Sequence, residues 1–334
     1  MKAAVFQGLH EPLAIETIPD PTPDAGEVVV KVARCGICGS DLHMTEDAAY
    51  GCQHGDVLGH EFAGEVVGLG REVTGLGIGD LVSVVPLRSC GQCEACRRGE
   101  VAWCREFSLQ GGGYGEYAVT RPNQCVPLPA DVSLADGAII EPLAVALHGV
   151  VLSGITPGDR VLILGAGPIG LAVAFWARRF GAGAVVLQDV VPDQEPRAMG
   201  LGASGFVVNP EDPVGGSDAA LGGKADIVFE CVGRPGLIAQ AVEQVRARGT
   251  ILLLGLCTQP DTFNSFAMLS KEVRLVTSAF FTRSEYEAAL DALASGAIAP
   301  RLLVSETIAL DKVPTVFEAL KSAGHGQCKV LIAP

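Results

Sequence analysis

Basic side chains are scarce in this chain. Lysine and arginine total 24 against 38 aspartates and glutamates, a formal net charge of −14 over 334 residues. That balance argues against a nucleic-acid groove and against an anionic membrane surface, since both need a basic patch. Only Arg97/Arg98 and Lys321/Lys329 offer even a small one. Charge of either sign is limited to 19% of residues against 49% hydrophobic, which leaves no room for a long disordered tail. The first residues, Met1–Gly8, lack the basic-then-apolar shape of a leader and read as a strand, so a cytoplasmic chain is expected. Low-complexity segments are missing, and helical periodicity is nearly missing from residues 1–140. One apolar run, 161–177, approaches membrane-span length, but its glycines and proline have another explanation.

Cysteine, by contrast, is plentiful. Eleven cysteines in a reducing compartment suggest metal ligands in preference to disulfides. The length suggests two domains, each able to bury its own core.

Short apolar runs broken by turns dominate the first part of the chain: Lys2–Phe6, Glu27–Ala33, Phe62–Leu69, Leu81–Val85 and Gly115–Thr120. They predict an all-β, barrel-like domain with metal loops inserted. From about residue 141 strands and helices alternate. Strand candidates at 161–164, 184–188, 205–208, 226–229, 250–254 and 273–277 suit a doubly wound parallel sheet, giving an α/β fold class. Ser284–Gly296 reads as a helix with a Ser284/Glu287 capping box and an apolar face of Tyr286, Ala289, Leu290 and Leu293. The tail, with strands at Thr307–Leu310 and Val330–Ile332 and a helix near 313–323, is expected to rejoin the first domain.

The stretch Val161–Asp189 organises the second domain. A β-type run leads into Gly165, Gly167 and Gly170, a G-x-G-x-x-G turn opening a helix; a second run ends at Asp189, 19 residues beyond Gly170. Gly165 permits the tight turn, Gly167 lets a pyrophosphate approach the backbone, and Gly170 lets helix and strand pack closely. The helix N-terminus presents free N–H groups to phosphates. Asp189 can accept hydrogen bonds from an adenosine ribose but would repel a 2′-phosphate. Val190, Val191 and Pro192 supply no cation, so NAD(H) is expected over NADP(H). Pro168 and Ile169 lie in the same turn. Cys231 and Val232, and Leu254, Gly255 and Leu256, follow later strands where a cofactor would bind, with core packing as the alternative for their side chains. Pro192 and Pro196 leave the start of the next helix uncertain.

Cys90, Cys93, Cys96 and Cys104 form C-x2-C-x2-C-x7-C within fifteen residues, a spacing that can close a tetrahedron around structural zinc. An iron–sulfur pattern shares the first spacings but continues x3-C-P, whereas here the gap is seven and Arg105 follows. A second constellation is scattered: Cys38 in CGICGSDLH, His60 and Glu61 in GHEFAGEVVG, and Glu141 in EPLAVALHG. Singly each is weak. Together they could make a catalytic site with three protein ligands and one open position.

On these motifs, with FECVG and the closing KVLI, the chain resembles the medium-chain zinc-dependent alcohol dehydrogenases, most of all their polyol, butanediol and threonine dehydrogenase branch. The resemblance runs from Met1 to Pro334. It implies a GroES-like catalytic domain (1–148 and 285–334, with the zinc lobe at about 88–106), a Rossmann domain (149–284), two zinc ions per chain, NAD(H), and a homo-oligomer, dimer or tetramer. Cys38 and His60 match the first two catalytic zinc ligands. Glu141 is the expected third ligand, standing where the alcohol dehydrogenase branch has a cysteine and the polyol branch a glutamate. Glu61 matches the acid beside the histidine, a ligand or its backing, and Asp41 a carboxylate that orients that histidine. Ser40 and His43 match the hydroxyl and imidazole of a proton relay. Lys329 matches a basic residue near the pyrophosphate, with a solvated lysine as the alternative. Cys35 reads as packing; Cys52 and His54 lie in a loop that could line the substrate mouth.

The implied activity is hydride transfer between NAD(H) and a small-molecule alcohol or ketone. An oxygen ligand at Glu141 is harder and more adaptable than a thiolate, which favours vicinal diols, polyols or hydroxyketones over primary alcohols. An NADP-dependent carbonyl reductase of the same fold and a non-catalytic relative are the alternatives.

Overall fold

The computed structural model describes residues 1–208, 211–322 and 326–334. The chain divides into two compact units. The first is Met1–Glu141, Thr282–Ala297 and Val304–Pro334; the second is Pro142–Phe281 with Ile298–Leu303. The division falls within the helix Ile140–Ser153, after Glu141, and not at 148/149.

The first unit is built on a seven-stranded sheet. In spatial order it runs Val304–Ala309, Lys329–Ala333, Val28–Gly36, Glu61–Leu69, Leu81–Val84 and Cys125–Pro127, with Tyr117–Thr120 also pairing Val28–Gly36. The β-branched run Val28, Val29, Val30 and Val32 is buried, as fits an inner strand. Two register irregularities interrupt its antiparallel pairing with Glu61–Leu69, and such bulges bend a strand pair. The pairing ends with Cys35 opposite Phe62 and Gly36 opposite Glu61. This register brings Cys38 and His60, 22 residues apart in sequence, to the same end of one strand pair. The closing strand lies on the other side, with Leu331 opposite Gly36, so the tail rejoins the first sheet.

The helix Arg283–Ala294 belongs to this unit. Its Tyr286 hydroxyl lies 2.5 Å from Ser83 Oγ, which also donates to Gly137 O at 2.6 Å. Tyr286, Ala289, Leu290 and Leu293 are buried as the periodicity predicts. The capping box is corrected: Thr282 is the cap, with Glu285 accepting from its backbone N–H at 2.7 Å. Two overlapping T/S-x-x-E patterns compete here. The extended backbone of Thr282 (φ −87°, ψ 159°) decides between them, and Glu287 instead pairs with Arg283 one turn back at 2.7 Å. The last helix spans Val313–Leu320; residue 323 of the expected range lies outside the described residues.

The second unit holds a six-stranded, all-parallel sheet. Its order is Gly205–Val207, Ala184–Gln188, Arg160–Leu164, Ala225–Glu230, Val245–Leu253 and Arg274–Thr277. Numbered along the chain this is 3-2-1-4-5-6, which reverses direction between Arg160–Leu164 and Ala225–Glu230 and opens a crevice at their carboxyl ends. The proline question at 192–196 resolves locally. A single 3-10 turn, Pro192–Gln194, precedes the helix Glu195–Gly200, and Pro196 stands in that helix's first turn, where its missing N–H costs nothing.

Candidate metal and cofactor sites

Cys38, His60 and Glu61 each bring a ligand atom to within 4.8 Å of the other two. Cys38 precedes the short helix Gly39–Met44, and His60 and Glu61 open the strand Glu61–Leu69. His60 and Glu61 are almost completely buried. Asp41, on the helix, lies with Oδ1 3.1 Å from His60 Nδ1 and accepts at Oδ2 from the Tyr114 hydroxyl (2.5 Å) and the Cys38 N–H (3.1 Å). Burial works against charge on both partners. Asp41 nevertheless pushes His60 well above its usual pKa, while His60, Tyr114 and the Cys38 N–H hold Asp41 below its own. With Nδ1 committed to Asp41, Nε2 is the ring atom left for a cation.

Glu61 is also paired. Lys329 Nζ donates to Glu61 Oε1 at 2.7 Å and to Ile37 O at 2.9 Å, at 2% exposure. Burial opposes the lysine's charge, but Glu61 overrides it and raises the pKa. Gly36 is what admits the pair: a Cβ there would lie 2.0 Å from Glu61 Oε2. That oxygen is buried with no hydrogen-bond partner. An orphaned carboxylate oxygen beside a thiol and an imidazole fits a bound cation. Lys329 is thus neither a phosphate-binding residue nor a solvated one. It is buried with Nζ bonded to the Glu61 carboxylate and a backbone carbonyl, which corrects both expectations.

Glu141 is not part of this triangle. It is buried close enough for His60, Glu61, Lys329 and Asp41 to act on its charge, and burial above all raises its pKa to about 7. Ser40 and His43 share the Gly39–Met44 helix, three residues apart and half-buried. Cys35 is buried in the hydrophobic core of the first unit, and Cys52 packs against that core. His54 reaches Gln7 O through Nδ1 at 3.1 Å.

The four-cysteine lobe brings Cys90, Cys93, Cys96 and Cys104 to within 4.8 Å of one another. Its sulfur separations are 3.5 Å (Cys93–Cys96 and Cys90–Cys104) and 4.0 Å (Cys90–Cys96). A tetrahedron with metal–sulfur bonds of about 2.3 Å has edges of about 3.8 Å, so the donor set fits zinc. Backbone N–H groups point at the sulfurs: Cys90 and Glu106 each donate to Cys104 Sγ at 3.3 Å. The backbone at Cys96 holds the Cys93 thiol down to about 6.

In the second unit Gly165 has φ +98°, where a side chain is strained. A Cβ at Gly170 would lie 1.9 Å from Gly165 O, so packing demands that glycine too. Gly167 differs: a Cβ there would meet nothing within 4 Å. The protein's own packing does not require it, which fits space kept for a ligand. Gly167 also caps the helix Pro168–Arg179 without any side-chain hydrogen bond, leaving its first N–H groups to an anion. Asp189 accepts from Ala166 N at 2.5 Å and Val191 N at 2.9 Å, which ties the end of the second strand to the glycine turn. Cys231 N donates to Leu164 O at 2.9 Å, while Val232 (42%) and Leu256 (49%) are exposed. Leu254 and Gly255 both donate to Glu230 O.

Tyr114, Gly36 and Glu230 are the participants sequence reasoning passes over. Nothing in GGGYGEY marks Tyr114 as a partner of Asp41. Glu230 had a signal, a lone acid closing the apolar strand ADIVFE.

Two units, one with a buried sulfur–imidazole–carboxylate cluster and one with a dinucleotide-type turn, define a metal-dependent dehydrogenase architecture. Comparison with known proteins agrees. Residues 24–130 match the alcohol dehydrogenase GroES-like domain and residues 168–295 the zinc-binding dehydrogenase domain. Sorbitol dehydrogenase of Bombyx mori is 32% identical, covering 99% of this chain and 97% of its own. Among solved structures, an alcohol dehydrogenase of Escherichia coli CFT073 in complex with NADH superposes with TM-score 0.91 at 29% identity, covering 100% of this chain and 99% of that one. A zinc-binding dehydrogenase of Sinorhizobium meliloti 1021 bound to NADP superposes with TM-score 0.87 at 33% identity, with the same coverage. The chain belongs to the medium-chain zinc-dependent alcohol and polyol dehydrogenase family.

Proposed function

We propose that this chain is a zinc-dependent dehydrogenase that interconverts a secondary alcohol, vicinal diol or polyol with its ketone, using NAD(H). The observation that carries the reading is the triangle of a half-buried Cys38 with the buried His60 and Glu61, with Asp41 behind the imidazole and Lys329 behind the carboxylate. When bound, zinc supplies a Lewis acid for the substrate oxygen and the nicotinamide supplies the hydride acceptor.

The protein's own groups do the rest. Cys38, His60 and Glu61 hold the cation, with the Glu141 carboxylate close by as a second source of oxygen. Lys329 offsets the charge of Glu61, which reduces the negative charge gathered around the cation by Cys38, Glu61 and Asp41. The Ser40 hydroxyl and His43 imidazole carry the substrate's proton toward solvent, a route that a water-excluding site needs. Cys90, Cys93, Cys96 and Cys104 hold a second, structural zinc. Asp189 selects NAD(H), because its carboxylate repels a 2′-phosphate and Val190, Val191 and Pro192 hold no compensating cation.

A panel of sorbitol, 2,3-butanediol and ethanol with NAD and with NADP, read by absorbance of the reduced nicotinamide, tests the proposal. Diol or polyol ahead of ethanol, and NAD ahead of NADP, is the expected result. Ethanol clearly ahead would sink the substrate class, and NADP ahead would favour the carbonyl-reductase reading.

A further inference from the structure

Glu230 is a carboxylate where a parallel sheet has little use for one. It is the last residue of the inner strand Ala225–Glu230, 4% exposed, with no cation paired to it among the described residues. Burying an acid without a countercharge is costly unless hydrogen bonds replace the lost water. Here they do. Oε1 accepts from Val232 N and Gly233 N, both at 2.8 Å. The residue's main-chain oxygen accepts from Leu254 N at 2.8 Å and Gly255 N at 2.9 Å. One residue therefore ties down the loop after its own strand and the loop after the neighbouring strand.

These loops have no slack. Gly233 is at φ +77°, and a Cβ on it would lie 2.4 Å from Leu256 O. A Cβ on Gly255 would lie 2.2 Å from Gly233 N and 2.5 Å from Glu230 Oε2. A Cβ at Gly165 would lie 2.7 Å from Val232 Cγ2, so the clamped loops close against the glycine turn itself. Asp189 marks the adenosine half of the crevice at the end of Ala184–Gln188. The strands across the reversal point, with loops 231–233 and 254–256, then form the other mononucleotide half. There the clamp holds two apolar side chains, Val232 and Leu256, out toward solvent.

We infer that Glu230 is a positioning residue for the nicotinamide ring: its carboxylate fixes loop 231–233 through two backbone N–H groups, that loop packs against loop 254–256, which the main-chain oxygen already holds, and Val232 and Leu256 are kept as a preformed apolar seat. The inference rests on the nicotinamide reading above. The role needs an acceptor at Oε1 and no charge, so glutamine can fill it and methionine cannot.

The test uses the zinc-loaded full chain, as wild type, Glu230→Gln and Glu230→Met. NADH binding is read by its fluorescence. Binding of ADP-ribose, which lacks only the nicotinamide ring, is read by calorimetry. Glu230→Gln should bind NADH within threefold of wild type. Glu230→Met should lose at least tenfold for NADH while keeping ADP-ribose within threefold. Gly255→Ala, whose new methyl would strike both Gly233 N and the Glu230 carboxylate and so part the same two loops, should show the same selective loss and serves if the methionine variant does not fold. Equal loss of both ligands, unchanged NADH binding in both disruptive variants, or glutamine behaving like methionine would each overturn the proposal. A wild-type chain that binds neither ligand overturns the nicotinamide reading itself, and this inference with it.

Discussion

In the lobe, four sulfurs come from fifteen consecutive residues, three of them only half-buried, on a loop with one short α-helical turn, Glu94–Arg97, and one 3-10 turn, Val101–Trp103. At the other site, Cys38, His60 and Glu61 come from two segments joined by strand register, and Lys329 arrives from the far end of the chain. Four sulfurs would fill all the positions of a tetrahedral ion and leave none for a substrate. The buried cluster has three ligand atoms, an orphaned oxygen and a nearby Glu141, and its charge is trimmed by the lysine. Closure with local ligands suits a staple. Three ligands held by tertiary structure suit chemistry, because the fold keeps the cluster in shape when one position exchanges.

The sharpest way to break the comparison is to remove one ligand from each site. His60→Ala should lower kcat/KM by at least about a thousandfold while metal analysis still finds one zinc per chain. Cys93→Ser should also leave one zinc, yet keep kcat within a few-fold while lowering Tm and exposing residues 88–106 to protease. If the two variants lose activity alike, the division of labour is wrong.

Lys329→Met asks whether the buried site depends on its countercharge. It strands Glu61, and breaking a buried pair costs about 3–5 kcal/mol. Denaturant melts should show that loss, and adding Glu61→Gln should return part of it. A smaller effect is expected for Tyr114→Phe, which removes one of three donors to Asp41. Zinc affinity at the buried site should fall about tenfold, with the lobe unchanged in a chelator competition. Equal weakening of both sites would point to general loosening of the fold.

The smallest effect is a control in the second unit, outside both clusters. Burial opposes charge on Asp226, but the Arg160 N–H (2.8 Å) and the Arg246 side chain (2.5 Å) override it and hold its pKa below the usual 3.8. A depressed carboxylate pKa gives stability that is present above the unfolded value and lost as pH falls through the folded one. Asp226→Asn should therefore cost about 1–2 kcal/mol at neutral pH. The gap to wild type should close as the pH falls below about 4, with or without chelator.

How far each feature could be read in advance follows from how local it is. The lobe and the glycine turn are written in nearby residues, the lobe set apart by its x7 gap and the turn by the strand before it, the helix after it and Asp189 beyond. The six parallel strands were legible for the same reason, because apolar runs alternate with helices. Cys38 and His60 could be joined only through a resemblance, since no spacing rule links them. The placing of Glu61 over Glu141 depends on the Gly36–Glu61 register and on a glycine that leaves room for the carboxylate. Lys329 was misread because its partners, Ile37 and Glu61, lie 292 and 268 residues away. Glu230 stood in plain sight as an acid at a strand end, but its use appears only when two loops are seen closing on it.

The most direct test of the whole account follows a single atom. A secondary alcohol or polyol carrying deuterium on its reacting carbon is incubated with NAD and the zinc-loaded protein, and the reduced dinucleotide is weighed by mass spectrometry. One deuterium per molecule of reduced dinucleotide is the predicted result. Unlabelled product, or no reduced dinucleotide from any alcohol in the panel by a protein that holds two zincs and binds NADH, would contradict it.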